Sequence, residues 1–217
     1  MHIYKYEGKE YPSVTTIIKL ISNNDDLMNW ANFMGFKRKN IKDILEKSSE
    51  FGSSVHLYLQ KFLENEPLNY DEIENSINRH SVPKVIDEFK KFISDYNYET
   101  IFTEKVLISP TLGFAGTCDW LCKLDGLVTL VDFKTSKTYH DTMFLQLGGY
   151  NKLLLEKGIE IDRAMIINVS ENGCKPHSIS RKKLDDFSDA FCTLSEFYLK
   201  WAAMDKKPEN HLFQKNK

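Results

Sequence analysis

The sequence predicts an α/β fold: a central mixed β-sheet flanked by helices, preceded by a helical N-terminal region. Three observations lead there. Residues 1–97 carry mostly helical apolar spacing, the segment from about residue 98 turns β-rich, and an apolar run at 163–170, RAMIINVS, follows a further helical stretch. A length of 217 residues suits a single domain with a helical part at 1–97, a sheet core at 98–180 and a C-terminal helix and tail at 181–217. Apolar residues at 41% and charged residues at 28% argue against wholesale disorder. No apolar run is long enough for a membrane helix, and MHIYKYEGKEYPS lacks the apolar stretch of a secretory signal, so a cytoplasmic protein without a membrane partner is expected. The net charge of −2 speaks against a histone-like coat on nucleic acid, although a local basic patch would still suffice for phosphate contact.

Taken in order, Tyr4–Tyr6 and Glu10–Tyr11 flank a Glu7-Gly8-Lys9 turn and predict a small hairpin. Ser13 can cap a short helix through Leu20, and Asn24 or Asp25 another through Leu27, Trp30, Ala31 and Met34. Val55, Leu59, Phe62 and Leu63 mark one face of a third helix. Residues 65–83 read as loop with room for a polar helix, and Val85, Ile86, Phe89, Phe92 and Ile93 mark the next amphipathic helix. Three strands follow at IFTEKVLIS, FAGTCDWLCKL and LVTLVDFKT, the last two joined across Asp125-Gly126, a tight-hairpin signal. A helix from about Asp141 to Lys157 stops at Gly158; then come the strand RAMIINVS, its partner Lys175–Ile179 and a long helix over 182–204.

The cysteines are Cys118, Cys122, Cys174 and Cys192. On a regular strand the first two share a face about 13–14 Å apart, too far for one metal, so buried small hydrophobes in a reduced compartment are expected. Trp30, Trp120 and Trp201 read as packing residues, Lys37-Arg38-Lys39 with Lys42 as the best local phosphate patch, and Arg181-Lys182-Lys183 as a helix-start surface patch.

The chemistry centres on Asp132-Phe133-Lys134. Acid-x-Lys occurs four times in the chain, so the spacing singles out none of them, but only this instance follows an apolar strand. Val128, Leu130, Asp132 and Lys134 then share one face. If the neighbouring strands pair across Asp125-Gly126, Asp119 sits opposite Asp132. Two buried carboxylates are costly unless positive charge lies between them. A divalent cation answers that need, with Lys134 as a further charge, and oxygen ligands favour Mg²⁺ or Mn²⁺. Glu104, on the preceding strand, can join through a metal-bound water. Gln146 and Tyr150 share a helical face at i and i+4, and Gly148-Gly149 between them suits close packing against sheet or substrate.

The ordered set Gly52-x3-His56, Glu104, Gly116-Thr-x-Asp119, Asp132-x-Lys134 and Gln146-x3-Tyr150 resembles the PD-(D/E)XK nuclease superfamily, and within it the RecB-type exonuclease branch that includes phage exonucleases and Cas4-like nucleases. The resemblance spans about residues 50–170, and Tyr11-Pro12-Ser13-Val14-Thr15 is also similar to phage members. It implies a restriction-endonuclease-like core and a metal-dependent DNA exonuclease using Mg²⁺ or Mn²⁺. It also implies roles. His56, Asp119, Asp132 and the Phe133 carbonyl would ligate metal. Glu104 would bind it directly, through water, or help place a second ion. Lys134 would activate water and stabilise charge on the phosphate. Gln146, Tyr150, Thr135 and Ser136 would hold the substrate. DNA is the implied partner, with a recombinase, annealing protein or helicase beside it in phage recombination, replication or repair, and host cytoplasm the implied location.

The chain departs from cluster-bearing relatives: its first cysteine, Cys118, lies inside the core and no closely spaced trio follows, so no iron–sulfur cluster is expected. It has no Walker A loop, so any helicase would be a separate polypeptide. Two other readings stay open: a non-catalytic DNA-end-binding or adaptor protein that kept the fold, and a hydrolase of small phosphoesters.

Overall fold

In the computed structural model, which describes residues 2–22, 25–136 and 139–204 (side chains of 25–27 and 30 excepted), five strands form one mixed sheet in chain order. The chain opens on the expected hairpin of β1 (Ile3–Tyr6) and β2 (Lys9–Pro12), turned at Glu7 and Gly8, both at positive φ. Ser13 caps α1 (Val14–Ile18) by accepting the Thr16 N–H at 3.0 Å, and the helix ends two residues before Leu20. α2 (Asp25–Phe36) follows. The candidate cap Asn24 and the Trp30 side chain lie outside the described residues.

α3 (Ile41–Leu63) starts far upstream of the apolar stripe that predicts it, because Asn40 caps it through the Lys42 N–H at 3.1 Å. α4 (Ser76–Ile93) likewise begins inside the stretch read as loop with room for a polar helix. Asn75 accepts from the Ile77 and Asn78 N–H groups and sets its start.

β3 (Tyr98–Ser109), β4 (Phe114–Leu124) and β5 (Leu127–Lys134) form an antiparallel meander. α5 (Thr142–Glu156) crosses over to β6 (Arg163–Ser170), parallel to β5, and β7 (Gly173–Ser180) returns antiparallel before α6 (Arg181–Met204). Asp125 and Gly126, at φ of 51° and 82°, make the two-residue turn that pairs Leu124 with Leu127 and Trp120 with Val131. Continued by one step, that register sets Asp119 opposite Asp132.

Helices cover both faces. α1, α5 and α6 bury Cys118, Leu121, Leu130, Ala164 and Ile166 on one side. α3 and α4 bury Trp120, Cys122, Val131, Phe133 and Ile167 on the other. Cys118 and Cys122 therefore point to opposite faces, not to one. The alternation along β4 breaks between Cys118 and Trp120, at Asp119. Trp120 is fully buried as a packing residue, whereas Trp201 leaves half of its surface in solvent. Among the described residues no helix is long and apolar enough to cross a membrane.

The Gly148-Gly149 pair serves helix packing, not contact with sheet or substrate. A Cβ on Gly148 would sit 2.6 Å from the Phe187 backbone of α6, and one on Gly149 2.9 Å from Val14 of α1. The two glycines let α5 press against both neighbours.

Candidate functional site

The carboxylates and Lys134 occupy the C-terminal end of β5 and the strands beside it. Asp119, at the break in β4, accepts the Phe133 N–H on Oδ2 at 2.8 Å. On the neighbouring strand β3, Glu104 lies opposite Asp119, between the pairs Thr103↔Trp120 and Lys105↔Cys118. Its φ is +42°, in the left-handed region that a residue other than glycine rarely enters inside a strand. The β3–β4 register also shifts between Thr100 and Phe102.

α3 delivers His56 from the opposite side. His56 Nδ1 lies 3.4 Å from Glu104 Oε1 and 3.6 Å from Asp119 Oδ2. The Phe133 ring meets the imidazole edge-on at 6.3 Å between centroids. One ligand atom from each of His56, Glu104 and Asp119 falls within 4.8 Å of the others, a group able to hold a metal ion.

Asp132 is fully buried beside this group but differently engaged. Its Oδ2 is paired with the Lys134 ammonium, and its Oδ1 accepts from Gln146 Nε2 at 2.8 Å. Lys134 also donates to Gln146 Oε1 at 3.3 Å, and Gln146 Nε2 donates to the Tyr150 hydroxyl at 2.7 Å. The i, i+4 pair on α5 thus ties both charges to one helix. Tyr150 in turn rests on Gly116, where a Cβ would come within 2.5 Å of its ring. The N-terminal hairpin braces the same strand, Tyr4 Oη lying 2.8 Å from Thr117 Oγ1.

Beyond β5, Thr135 Oγ1 lies 3.4 Å from the Cβ position of Gly52, which brings α3 into ordinary contact with the strand end. The exposed Ser136 presents its carbonyl to Asn168 Nδ2 at 2.9 Å. The structure therefore groups His56, Glu104 and Asp119 directly, sets Asp132, Lys134, Gln146 and Tyr150 in an adjoining network, and leaves Thr135 and Ser136 at its rim. The Phe133 backbone takes part through its N–H. Sequence periodicity cannot register the backbone turn at Glu104, or the braces from Tyr4 and Thr117.

The electrostatics show a shortage of positive charge. Burial disfavours the imidazolium of His56, yet its bond to Glu104 and the charges of Asp119 and Asp132 outweigh that and raise its pKa to about 9. Burial and Asp132 push Asp119 up to about 7, against the pull of His56 and Lys134. Lys134 is desolvated, but Asp132 and Asp119 more than compensate and raise its pKa. Asp132 Oδ2 has the Lys134 ammonium as its partner among the described residues. Three carboxylates around one imidazole and one ammonium fit a hard divalent cation.

A stability test follows from the signs. Both raised groups hold their protons more tightly in the folded state, so each contributes stability that is present at low pH and lost as pH rises. The loss runs from 3.8 to about 7 for Asp119 and from 6.5 to about 9 for His56. In EDTA these two groups should therefore lower the melting temperature as pH rises from about 4 to about 9. Mn²⁺ or Mg²⁺ should raise it, and raise it most at the alkaline end, where the ligands carry no competing protons. A flat profile in EDTA, with no metal effect at alkaline pH, would count against the cation site.

No protein-family model and no curated protein sequence matches the chain. Solved structures overlap weakly. SSO0001 aligns at TM-score 0.31 and 15% identity over 51% of this chain and 57% of that one. An alkaline exonuclease from Laribacter hongkongensis aligns at 0.33 and 14% over 70% and 84%. The same exonuclease in complex with dAMP aligns at 0.28 and 14% over 71% and 86%. Overlaps this weak establish no family membership.

Proposed function

We propose that the chain is a divalent-metal-dependent nuclease that hydrolyses DNA phosphodiester bonds, acting at a strand end or on a single strand. One observation carries this reading: His56, Glu104 and Asp119 converge within 4.8 Å beside a buried Asp132–Lys134 pair. The restriction-endonuclease-like resemblance in the order of these residues agrees with it.

His56, Glu104, Asp119 and Asp132, with the Phe133 carbonyl, are the residues that would hold Mg²⁺ or Mn²⁺. A cation bound there supplies an acidified water and polarises a phosphoryl oxygen. The other roles belong to the chain itself. Lys134, kept charged by Asp132 and Asp119, places a fixed ammonium where negative charge grows on the phosphate. Gln146 fixes that ammonium through its Oε1 and Asp132 through its Nε2, so neither side chain must reorganise during reaction. Tyr150 anchors Gln146, and Thr135 and Ser136 offer hydroxyls to flanking phosphates at the strand end. Two buried carboxylates, Asp119 and Asp132, beside the partly buried Lys134 favour catalysis over the adaptor reading, since binding alone does not require so costly a set.

The test is incubation with labelled linear and circular DNA, single- and double-stranded, in Mg²⁺, Mn²⁺ or EDTA. Metal-dependent loss of linear DNA with circles spared is expected. Equal attack on circles would make the enzyme an endonuclease. Binding without cleavage in either metal would establish the adaptor instead. A recombination, replication or repair setting, with a recombinase, annealing protein or helicase as partner, belongs to the same proposal.

A further inference from the structure

The turn between α2 and α3 carries a surface that the site does not use. Phe36 is 95% exposed, Met28 63% and Phe33 54%, an unusual concentration of apolar area on so short a segment. Cations surround it. Lys37 Nζ lies 4.3 Å above the Phe33 ring. Arg38 sits at φ +53°, held by its N–H to Gly35 O at 2.9 Å, while Lys39 donates to Met34 O at 3.0 Å. Lys37, Arg38, Lys39 and Lys42 are all exposed.

α3 runs unbroken from this turn to His56. From Lys42 to His56 the distance along the helix is about 21 Å at 1.5 Å per residue. Two cavities line that path. One, of about 450 Å³, is bordered by Glu46, Ser49 and Ser53. The next, of about 500 Å³, is bordered by Ser53, Gly52, His56 and Glu104. Sharing Ser53, they make a shallow groove along α3 from Glu46, one helical turn beyond Lys42, to His56 and Glu104. Three acids border the groove: Lys42 lies 3.7 Å from Glu46, Asn75 donates to Glu50 at 3.3 Å, and Glu104 belongs to the ligating group at its far end.

We propose that this turn and groove bind a single-stranded stretch of nucleic acid. The exposed phenylalanines would stack on unpaired bases, the lysines and Arg38 would contact phosphates, and the strand would run along α3 towards His56. The inference rests on the nuclease reading and deepens it by naming the substrate's form. Bases in a duplex hide the faces that aromatic rings stack on, so the phenylalanines favour a single strand. The groove's course to the carboxylates favours a nucleic acid over an anionic lipid surface, which would touch only the turn.

A groove of this length spans about six stacked nucleotides at 3.4 Å each. The experiment compares binding of single-stranded oligonucleotides of about 4 and about 20 nucleotides by wild type, Phe36→Ala, Lys37→Gln and Lys39→Gln, with cleavage in Mn²⁺ followed in parallel. Phe36→Ala should shrink the affinity advantage of the longer strand by about tenfold. Each lysine change should lower the slope of log affinity against log salt by about 0.7. Because these side chains are exposed, thermal melts should be unchanged. An unaltered length advantage and salt slope in variants that still cleave overturns this inference alone. A wild type that neither cleaves nor favours the longer strand overturns the nuclease reading with it. If Phe36→Ala instead splits a self-associated protein into monomers, the face belongs to a second copy of the chain and the inference fails.

Discussion

Lys134→Ala should lower metal-dependent DNA cleavage by about 10³-fold while DNA binding and the fold persist. Lys134 is the one ammonium described within the network of Asp132 and Gln146, set apart from the His56 imidazole of the ligating group. Truncation keeps the ligands His56, Glu104 and Asp119, so the loss should fall on the chemical step. Single-turnover rates at saturating Mn²⁺ and DNA would show a collapse in rate with little change in the concentration needed for half-saturation. Lys134→Arg should rescue poorly, because a planar guanidinium cannot occupy the place of a compact ammonium between Asp132 and Gln146. A variant that cleaves as fast as wild type would remove Lys134 from the mechanism. Its metal-free form should also melt earlier than wild type, since Asp132 is left buried without its counter-charge, and added Mn²⁺ should recover part of that loss.

The second large effect concerns packing. Gly148→Ala would ordinarily stabilise a helix by about 1 kcal/mol. Here the added Cβ would lie 2.6 Å from the Phe187 carbonyl carbon and 2.8 Å from the Ser188 nitrogen, both backbone atoms that cannot swing aside. α5 and α6 must separate, at a cost of about 1–3 kcal/mol or more. For a chain of this size that corresponds to a melting temperature lower by roughly 3–10 °C. Cleavage should fall too, because α5 carries Gln146 and Tyr150 and its displacement loosens their hold on Asp132 and Lys134. Gly35→Ala provides the contrast. Nothing lies within 4 Å of its Cβ position, so that variant should melt at or above the wild-type temperature. Equal melting of the two variants would mean that the contact with Phe187 is not limiting.

Much of the site was legible because it lies on regular elements. The Asp125-Gly126 signal fixes the β4–β5 register, and from it follows the meeting of Asp119 and Asp132. The i, i+4 spacing puts Gln146 and Tyr150 on one face, and the structure adds that this face grips Asp132 and Lys134. The strand and helix order of residues 98–204 was readable for the same reason, since apolar periodicity is strong there. What escaped depends on breaks in periodicity. Strict alternation puts Cys118 and Cys122 on one face, but the irregularity at Asp119 sends them to opposite cores. Glu104 enters the metal-ligating group through a left-handed backbone that no side-chain pattern encodes. The first half of α3 is not legible, and the start of α4 is legible only as room for a polar helix, because caps at Asn40 and Asn75, not apolar stripes, begin those helices.

The two-residue turn at Asp125-Gly126 also constrains how this chain can vary over generations. Side chains on a strand alternate, so one inserted or deleted residue there would carry Asp132 and Lys134 to the α3–α4 face and turn Phe133 towards α5. The acids would part company even if every one of them were retained. Length changes should thus be tolerated in surface connections away from the β4–β5 hairpin and be lethal to function within it, making that turn a fixed ruler for the molecule's chemistry.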